Sequence, residues 1–372
     1  EETAEYRRFR EELGRVNPPL STLTVLHDAC GSSYMVLRNE GIHIGDGEYE
    51  VPCRLQVWSR EYGLAYQEDY PYYNTKPTIT PPVGEQGRQF VILPVRSNDL
   101  HFVQGVLAIE VGPSRTRGTP ERGTQRTAQI LRLPCWGHVE TKCIGRRDET
   151  ALIFMDQDES AVKSCRILLD KEGRLRLTKP VKLASDPART GDHNTRRCRL
   201  AAFSNEKRSV VAFSYDFVDK FINVYDVERG VSISVPTPED AGWIRDVEFS
   251  PDGKTLVVAH CTFSQDSRML SYEYNNKASC AVSVYNFDVV QIEEMLQHPA
   301  RLFPLSDKGY CSHLTFSPSG KNIAFQWYER WSYSRGFFGR EQVGNFDFSL
   351  LMKDGSGDGL ISFEVLNDIR GW

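Results

Sequence analysis

Three stretches in the second half of the chain share one pattern of apolar and polar positions, and that pattern predicts β-hairpins. They are CRLAAFSNEKRSVVAF from Cys198, IRDVEFSPDGKTLVVA from Ile244 and CSHLTFSPSGKNIAFQ from Cys311. In each, a Phe-Ser pair beginning at Phe203, Phe249 or Phe316 is followed by an aliphatic residue at Val210, Leu256 or Ile323. The first half of each stretch alternates, as in a strand with one face toward a core. The second half is nearly continuous in apolar residues, as in a strand covered on both faces. Between them the chain must turn, and Gly253 and Gly320 can take the positive φ that such turns require.

The pattern continues beyond the hairpin. DKFINVYD (Asp219 to Asp226) predicts a third strand and Val231 to Val235 a fourth. The second copy has a comparable third strand in AVSVYN (Ala281 to Asn286). Four strands in about 45 residues is the period of a propeller blade. In the first half, RLQVWS (Arg54 to Ser59) predicts another third strand, and RILLDKEGRLRL (Arg166 to Leu177) a hairpin. Strand-like stretches number about 24, or about six blades of four, with seven as the alternative.

DKFINVYD resembles the third-strand signature of WD-repeat proteins, with Tyr225-Asp226 where Trp-Asp often stands. FSPDGK is shared with WD repeats and with TolB-like and peptidase-associated propellers. The resemblance is good over about 197–327 and weaker elsewhere. The regular Gly-His of a WD repeat is missing, since Gly137-His138 is not followed at the right distance by a Phe-Ser strand. The resemblance implies an all-β fold, a β-propeller of six or seven four-stranded blades over residues 20–372. Residues 1–19 are expected to form a short N-terminal helix and linker: Tyr6, Phe9, Leu13 and Val16 recur at helical spacing before Asn17-Pro18-Pro19. Such a helix would pack on the propeller's side or end an upstream domain.

Composition narrows the function. The formal net charge of −5 argues against a nucleic-acid binder that works by overall positive charge. The arginines at 115, 117, 122 and 126 sit among Gly, Thr and Pro and read as a solvated loop. No apolar run is long enough to span a bilayer. Nine cysteines are scattered with no C-x-x-C pair, which reads as reduced core cysteines rather than a disulfide framework. With no N-x-[ST] sequon, they favour an intracellular setting, cytoplasm or nucleus. The first residue, Glu1, is not Met, which is compatible with a removed leader.

Motifs that carry chemistry are missing. The chain has no G-x-S-x-G elbow, no Walker-type phosphate loop and no H-E-x-x-H helix, so no catalytic residues and no cofactor are expected. Cys311 with His313, and His260 with Cys261, are the closest candidates for metal ligands. Two ligands do not make a closed site, and a structural role is the plainer reading. Asp354 to Gly359 alternates oxygens like the start of a calcium loop, but Val365 stands where the closing Glu would be.

Spacing within the repeats points to a docking surface. The stretch from Phe249 to Tyr285 is longer than the corresponding one from Phe203 to Tyr225, so the second copy carries an insertion at 261–279. The third carries one at 329–344, before FDFSLL resumes the sheet. Both follow a second strand, so antiparallel pairing puts them on one rim of neighbouring blades. One holds Tyr272 and Tyr274, and the other Arg330, Trp331, Tyr333, Arg335, Phe337, Phe338 and Arg340. Trp, Tyr and Arg are the residues that most often anchor protein interfaces. The expected function is a non-catalytic recognition or scaffold module, such as a substrate receptor in a larger complex, with a protein partner on that rim. The alternative is an enzyme or enzyme-associated propeller acting on a small molecule or peptide in the central channel.

Overall fold

The structure, a computed structural model, describes residues 21–27, 33–39, 43–45, 48–49, 54–59, 63–69, 76–85, 87–96, 103–111, 128–133, 140–146, 149–156, 159, 161–185, 198–205, 208–215, 221–239, 241, 243–262, 279–286, 301–306, 310–316, 319–328 and 341–347. Every regular element among them is a β-strand. The helix expected near the N-terminus, the arginine loop and Asp354 to Gly359 lie outside the described residues.

The strands form serial antiparallel sheets. In the first sheet, β1 (Ser21–His27), β2 (Ser33–Asn39), β5 (Arg54–Ser59) and β6 (Gly63–Asp69) pair in that order. A small hairpin of β3 (His43–Gly45) and β4 (Glu48–Tyr49) interrupts it. The second sheet is β7 (Thr78–Ile79), β8 (Gln89–Arg96), β9 (Val103–Val111) and β10 (Ala128–Arg132). The third is β11 (Thr141–Arg146), β12 (Glu149–Asp156) and β13 (Ala161–Leu169). The far edge of β13 is shared by β14 (Leu175–Leu177) and β15 (Val181–Ser185). The fourth sheet is β16 (Cys198–Ser204), β17 (Ser209–Tyr215), β18 (Phe221–Asp226) and β19 (Val231–Pro236). The fifth is β20 (Trp243–Phe249), β21 (Thr255–Thr262), β22 (Ser279–Asn286) and β23 (Arg301–Ser306). The sixth comprises β24 (Tyr310–Phe316), β25 (Asn322–Tyr328) and β26 (Glu341–Asp347). A meander of four antiparallel strands repeated along the chain is the blade of a β-propeller, and that is the fold.

Sequence and structure agree on the repeat. The Phe-Ser segments are the first strands β16, β20 and β24, and the apolar runs are the second strands β17, β21 and β25. RLQVWS is the third strand of its sheet, and RILLDKEGRLRL turns between β13 and β14. Gly253 and Gly320 take φ of 67° and 70°. Some boundaries differ: β21 runs through Thr262 and β22 starts at Ser279, so strand occupies both ends of the insertion expected at 261–279. The third strand of the sixth sheet starts at Glu341, ahead of the FDFSLL that was expected to resume the sheet. The cause is the length of β25, whose ladder pairs through to Tyr328 opposite Glu341 and so satisfies the backbone groups of both strands.

The chain divides into two compact units, one centred on Leu23–Cys198 and the other on Val210–Trp372. In the first unit, two cores lie on either face of the second sheet. Val91, Leu93, Leu107 and Ile109 belong to the core shared with the first sheet. Phe90, Ile92, Val106 and Ala108 belong to the core shared with the third. The second unit repeats this, with Leu256 and Val258 on one face of β21 and Val257 and Ala259 on the other. The middle of each of these central strands is therefore apolar on successive residues because both faces are covered. A Val, Leu, Ile or Phe side chain there contributes roughly 1.5–3 kcal/mol when fully buried.

Polar ties join the sheets of the first unit. The Arg88 guanidinium holds Glu110 through two bonds of 2.7 and 2.6 Å, donates to the Gly173 carbonyl at 2.5 Å and lies over the Phe90 ring. On the edge strands, the Gln129 side chain donates to Leu175 O at 2.8 Å and accepts from Leu175 N at 3.0 Å, in place of a ladder step between β10 and β14.

The turn after β13 is built on one carboxylate. Asp170 accepts from the backbone N–H groups of Glu172 and Arg174 and from the side chains of Arg174 and Arg176. These donors, the Arg174 N–H foremost, hold its pKa down at about 2 against an ordinary 3.8. A lowered carboxyl pKa means that the stabilising effect is complete above the ordinary value and lost as pH falls through the folded one. Amide exchange at Arg174 should therefore stay slow down to about pH 4 and quicken between about pH 4 and 2. A titration midpoint for Asp170 at the ordinary carboxylate value would show that the donors do not hold it.

Candidate partner-binding rim

The roots of the two insertions are set by strand ends in the second unit. Residues 263–278 connect Thr262 of β21 to Ser279 of β22, and residues 329–340 connect Tyr328 of β25 to Glu341 of β26. Within the fifth sheet, Trp243 at the start of β20 is opposite Cys261 near the end of β21. Within the sixth, Tyr310 at the start of β24 is opposite Tyr328. Two contacts fix how these sheets lie together. Asp246 of β20 accepts from the Leu314 N–H of β24, and the turns at Pro251 and Gly320 approach each other at the opposite ends of those strands. The two first strands thus run in the same sense, and both insertions leave from one rim.

The nine residues expected to bind a partner, Tyr272, Tyr274, Arg330, Trp331, Tyr333, Arg335, Phe337, Phe338 and Arg340, lie outside the described residues. Their anchorage is described in the fifth sheet. His260 and Ser283, both fully buried, share a 2.6 Å hydrogen bond between Nε2 and Oγ. Tyr285 donates its hydroxyl to Pro236 O at 3.2 Å, and burial pushes its pKa up to about 12, so the donor persists at neutral pH. Of these two bonds only His260–Ser283 lies toward the strand ends that the 263–278 connection joins, since Tyr285 faces Leu256 near the other end of the ladder.

The same geometry decides between candidate ligands. His260 follows Leu256 and Val258 on the face of β21 toward the fourth sheet, whereas Cys261 follows Val257 and Ala259 on the other. Neighbours on a strand point apart, so His260 and Cys261 do not converge on one ion. In β24 the register shifts between Ser312 and Thr315, which interrupts the alternation that grouped Cys311 with His313. Among the described residues, no three of His, Cys, Asp and Glu gather as metal ligands would. Burial pushes the Cys143 thiol up to about 12 and the Cys165 thiol to about 11, so neither is a thiolate nucleophile at neutral pH.

Two features escaped the sequence. The His-Ser pair is carried by Ala259-His260 rather than a Gly-His, and its Ser283 lies across the insertion, so no local spacing announces it. Arg199 and Arg245 occupy matching positions in two first strands and are both buried, Arg245 at a register shift of β20. Their shared place in the aligned segments was the available signal.

No family model matches the chain, and no curated protein matches it by sequence. Solved structures do. The Penicillium chrysogenum alpha-L-arabinanase, complexed with arabinobiose, is similar at a TM-score of 0.51 and 11% identity, over 90% of this chain and 95% of that one. The intramolecular trans-sialidase from Ruminococcus gnavus, in complex with oseltamivir carboxylate, has a TM-score of 0.50 and 11% identity, over 88% and 94%. TolB from Acinetobacter baumannii has a TM-score of 0.42 and 12% identity, over 88% of this chain and 61% of that one. At such identities the likeness shows the fold alone.

Proposed function

We propose that this chain is a non-catalytic recognition or scaffold module that binds a protein partner through the rim bearing residues 263–278 and 329–340. The observation that carries the reading is the departure of both insertions from one rim of adjacent sheets. Their aromatic and arginine content supports it, since such residues dominate interface energetics. The absence of catalytic motifs in the sequence favours recognition over the alternative of a channel enzyme. The Asp246 carboxylate, on a first strand, accepts backbone N–H groups at both oxygens, which favours a structural role over a catalytic one. Residues 20–372 are read as a β-propeller of six or seven blades, which the serial antiparallel sheets, four of them four-stranded among the described residues, support, and DKFINVYD supports a WD-repeat-like origin. The scattered cysteines support an intracellular setting.

Trp331 is the proposed centre of the surface. Trp331→Ala should weaken capture of the partner by about 2 kcal/mol, roughly 30-fold, and leave the melting temperature nearly unchanged. Pull-down with mass spectrometry identifies the partner, and a binding titration with a melt on the same variant tests the reading. Intact capture by a destabilised variant would retire it, because Trp331 would then serve only to hold its loop down.

A further inference from the structure

We propose that Cys261 and Cys280 are a redox-responsive pair that closes into an intrachain disulfide at the root of the 263–278 connection. The two residues are direct partners in the β21–β22 ladder, one step before its end at Thr262 and Ser279. Opposed residues of an antiparallel pair have Cα atoms about 4.5–5.5 Å apart, within the about 4.4–6.8 Å that a disulfide spans. Opposed Cβ atoms lie on one face about 4.5–5.5 Å apart, so closure has only to draw them slightly toward the about 3.5–4.5 Å of a disulfide. The other cysteines with assigned ladder partners lack this relation: Cys143 and Cys165 both face Leu152, and Cys311 faces Trp327.

Position makes the pair reactive despite the burial of Cys261. It sits at a ladder end, where local opening costs least. On its other side, Cys280 adjoins a register shift between β22 and β23, so the backbone there is not locked into a regular ladder. Cys165 lies in the core of the first unit and Cys143 packs against it, with thiols pushed up to about 11 and 12.

The oxidant is a low-molecular-weight disulfide such as glutathione disulfide. One cysteine thiolate attacks a glutathione sulfur, breaks that S–S bond and releases one glutathione thiolate. The second cysteine thiolate attacks the resulting mixed disulfide at the protein sulfur and releases the second glutathione. Two protons pass from the protein thiols to the two glutathione thiolates. The protein loses two electrons, and glutathione disulfide gains them. Closure ties the two ends of the 263–278 connection covalently, and reduced glutathione reverses it. The identity of any partner plays no part in this inference, which stands or falls independently of the function proposed above.

The test holds the folded full chain in buffers of increasing glutathione disulfide to glutathione ratio, traps remaining thiols with N-ethylmaleimide, and maps the digest by mass spectrometry. Alkylation of Cys261 and Cys280 should fall together by about tenfold, with a cross-linked peptide joining them, and recover on return to reduced glutathione. Cys143 and Cys165 should show no cross-link. In Cys280→Ser, Cys261 should end as a thiol or a glutathione adduct. Persistent alkylation of both residues in the oxidised buffer, glutathione adducts without the cross-link, or a bond from Cys261 to another cysteine would each overturn the proposal. The wild-type map decides alone if the variant does not fold.

Discussion

Gly253→Ala should destabilise the chain by about 3 kcal/mol, and Gly320→Ala, at the equivalent turn one sheet further on, by about 1 kcal/mol. The two glycines have nearly the same backbone conformation, with φ of 67° and 70°, so the strain of a left-handed alanine is common to both. Their surroundings differ. A Cβ at Gly253 would lie 2.4 to 2.8 Å from three atoms of the Phe203 ring. That ring packs at a tilt against Phe249, at 6.3 Å between centroids, and cannot swing aside without loss. A Cβ at Gly320 meets nothing nearer than Pro251 Cδ at 3.7 Å, an ordinary contact. Urea unfolding of the two variants reads the difference directly. Adding Phe203→Leu to Gly253→Ala should recover part of the loss, as a double-mutant cycle between touching groups does. Equal losses at the two glycines would show that the ring yields and only the turn conformation counts.

What could be read from the sequence follows where the blade is local. In β16–β19 and in the first hairpins of the next two sheets, turns are short and apolar runs uninterrupted, so strands and glycines fall where the pattern puts them. The second sheet shows the opposite. Its β7 has two residues, and a long connection separates β9 from β10, so no period survives. The third sheet divides its outer strand into β14 and β15, which a count of four strands per blade does not anticipate. At the rim, the sequence located both insertions but not the His260–Ser283 bond that anchors one of them, because that bond spans the insertion itself. Nor does any motif reveal the link from Asp246 to Leu314, two residues in different sheets. In the aligned segments Asp246 falls where Leu200 and His313 stand, so the repeat presents it as an exception without stating its use.

That exception carries the last prediction: Asp246→Ala should cost about 3 kcal/mol, and the loss should begin at the joint between the fifth and sixth sheets. The carboxylate is buried, with Oδ1 accepting from Val247 N at 2.8 Å and Oδ2 from Leu314 N at 2.5 Å. Charge-assisted bonds to backbone donors are the stronger kind, and removing the acceptor leaves both N–H groups without this partner in a dry place. Part of the cost of Asp246→Ala is an unfilled space, and Asp246→Leu isolates the rest. Leucine is the residue at the equivalent position of the preceding sheet, Leu200, which is itself fully buried. Asp246→Leu should therefore regain the packing loss but not the hydrogen-bonding loss, and its Leu314 amide should exchange as fast as in Asp246→Ala. The consequence reaches the rim because these two sheets carry the two insertions, and their alignment depends on this joint. Hydrogen exchange resolved at Leu314, together with a melt of both variants, checks the assignment. A protected Leu314 amide and an unchanged melting temperature in Asp246→Ala would mean that apolar packing alone holds the two sheets in register.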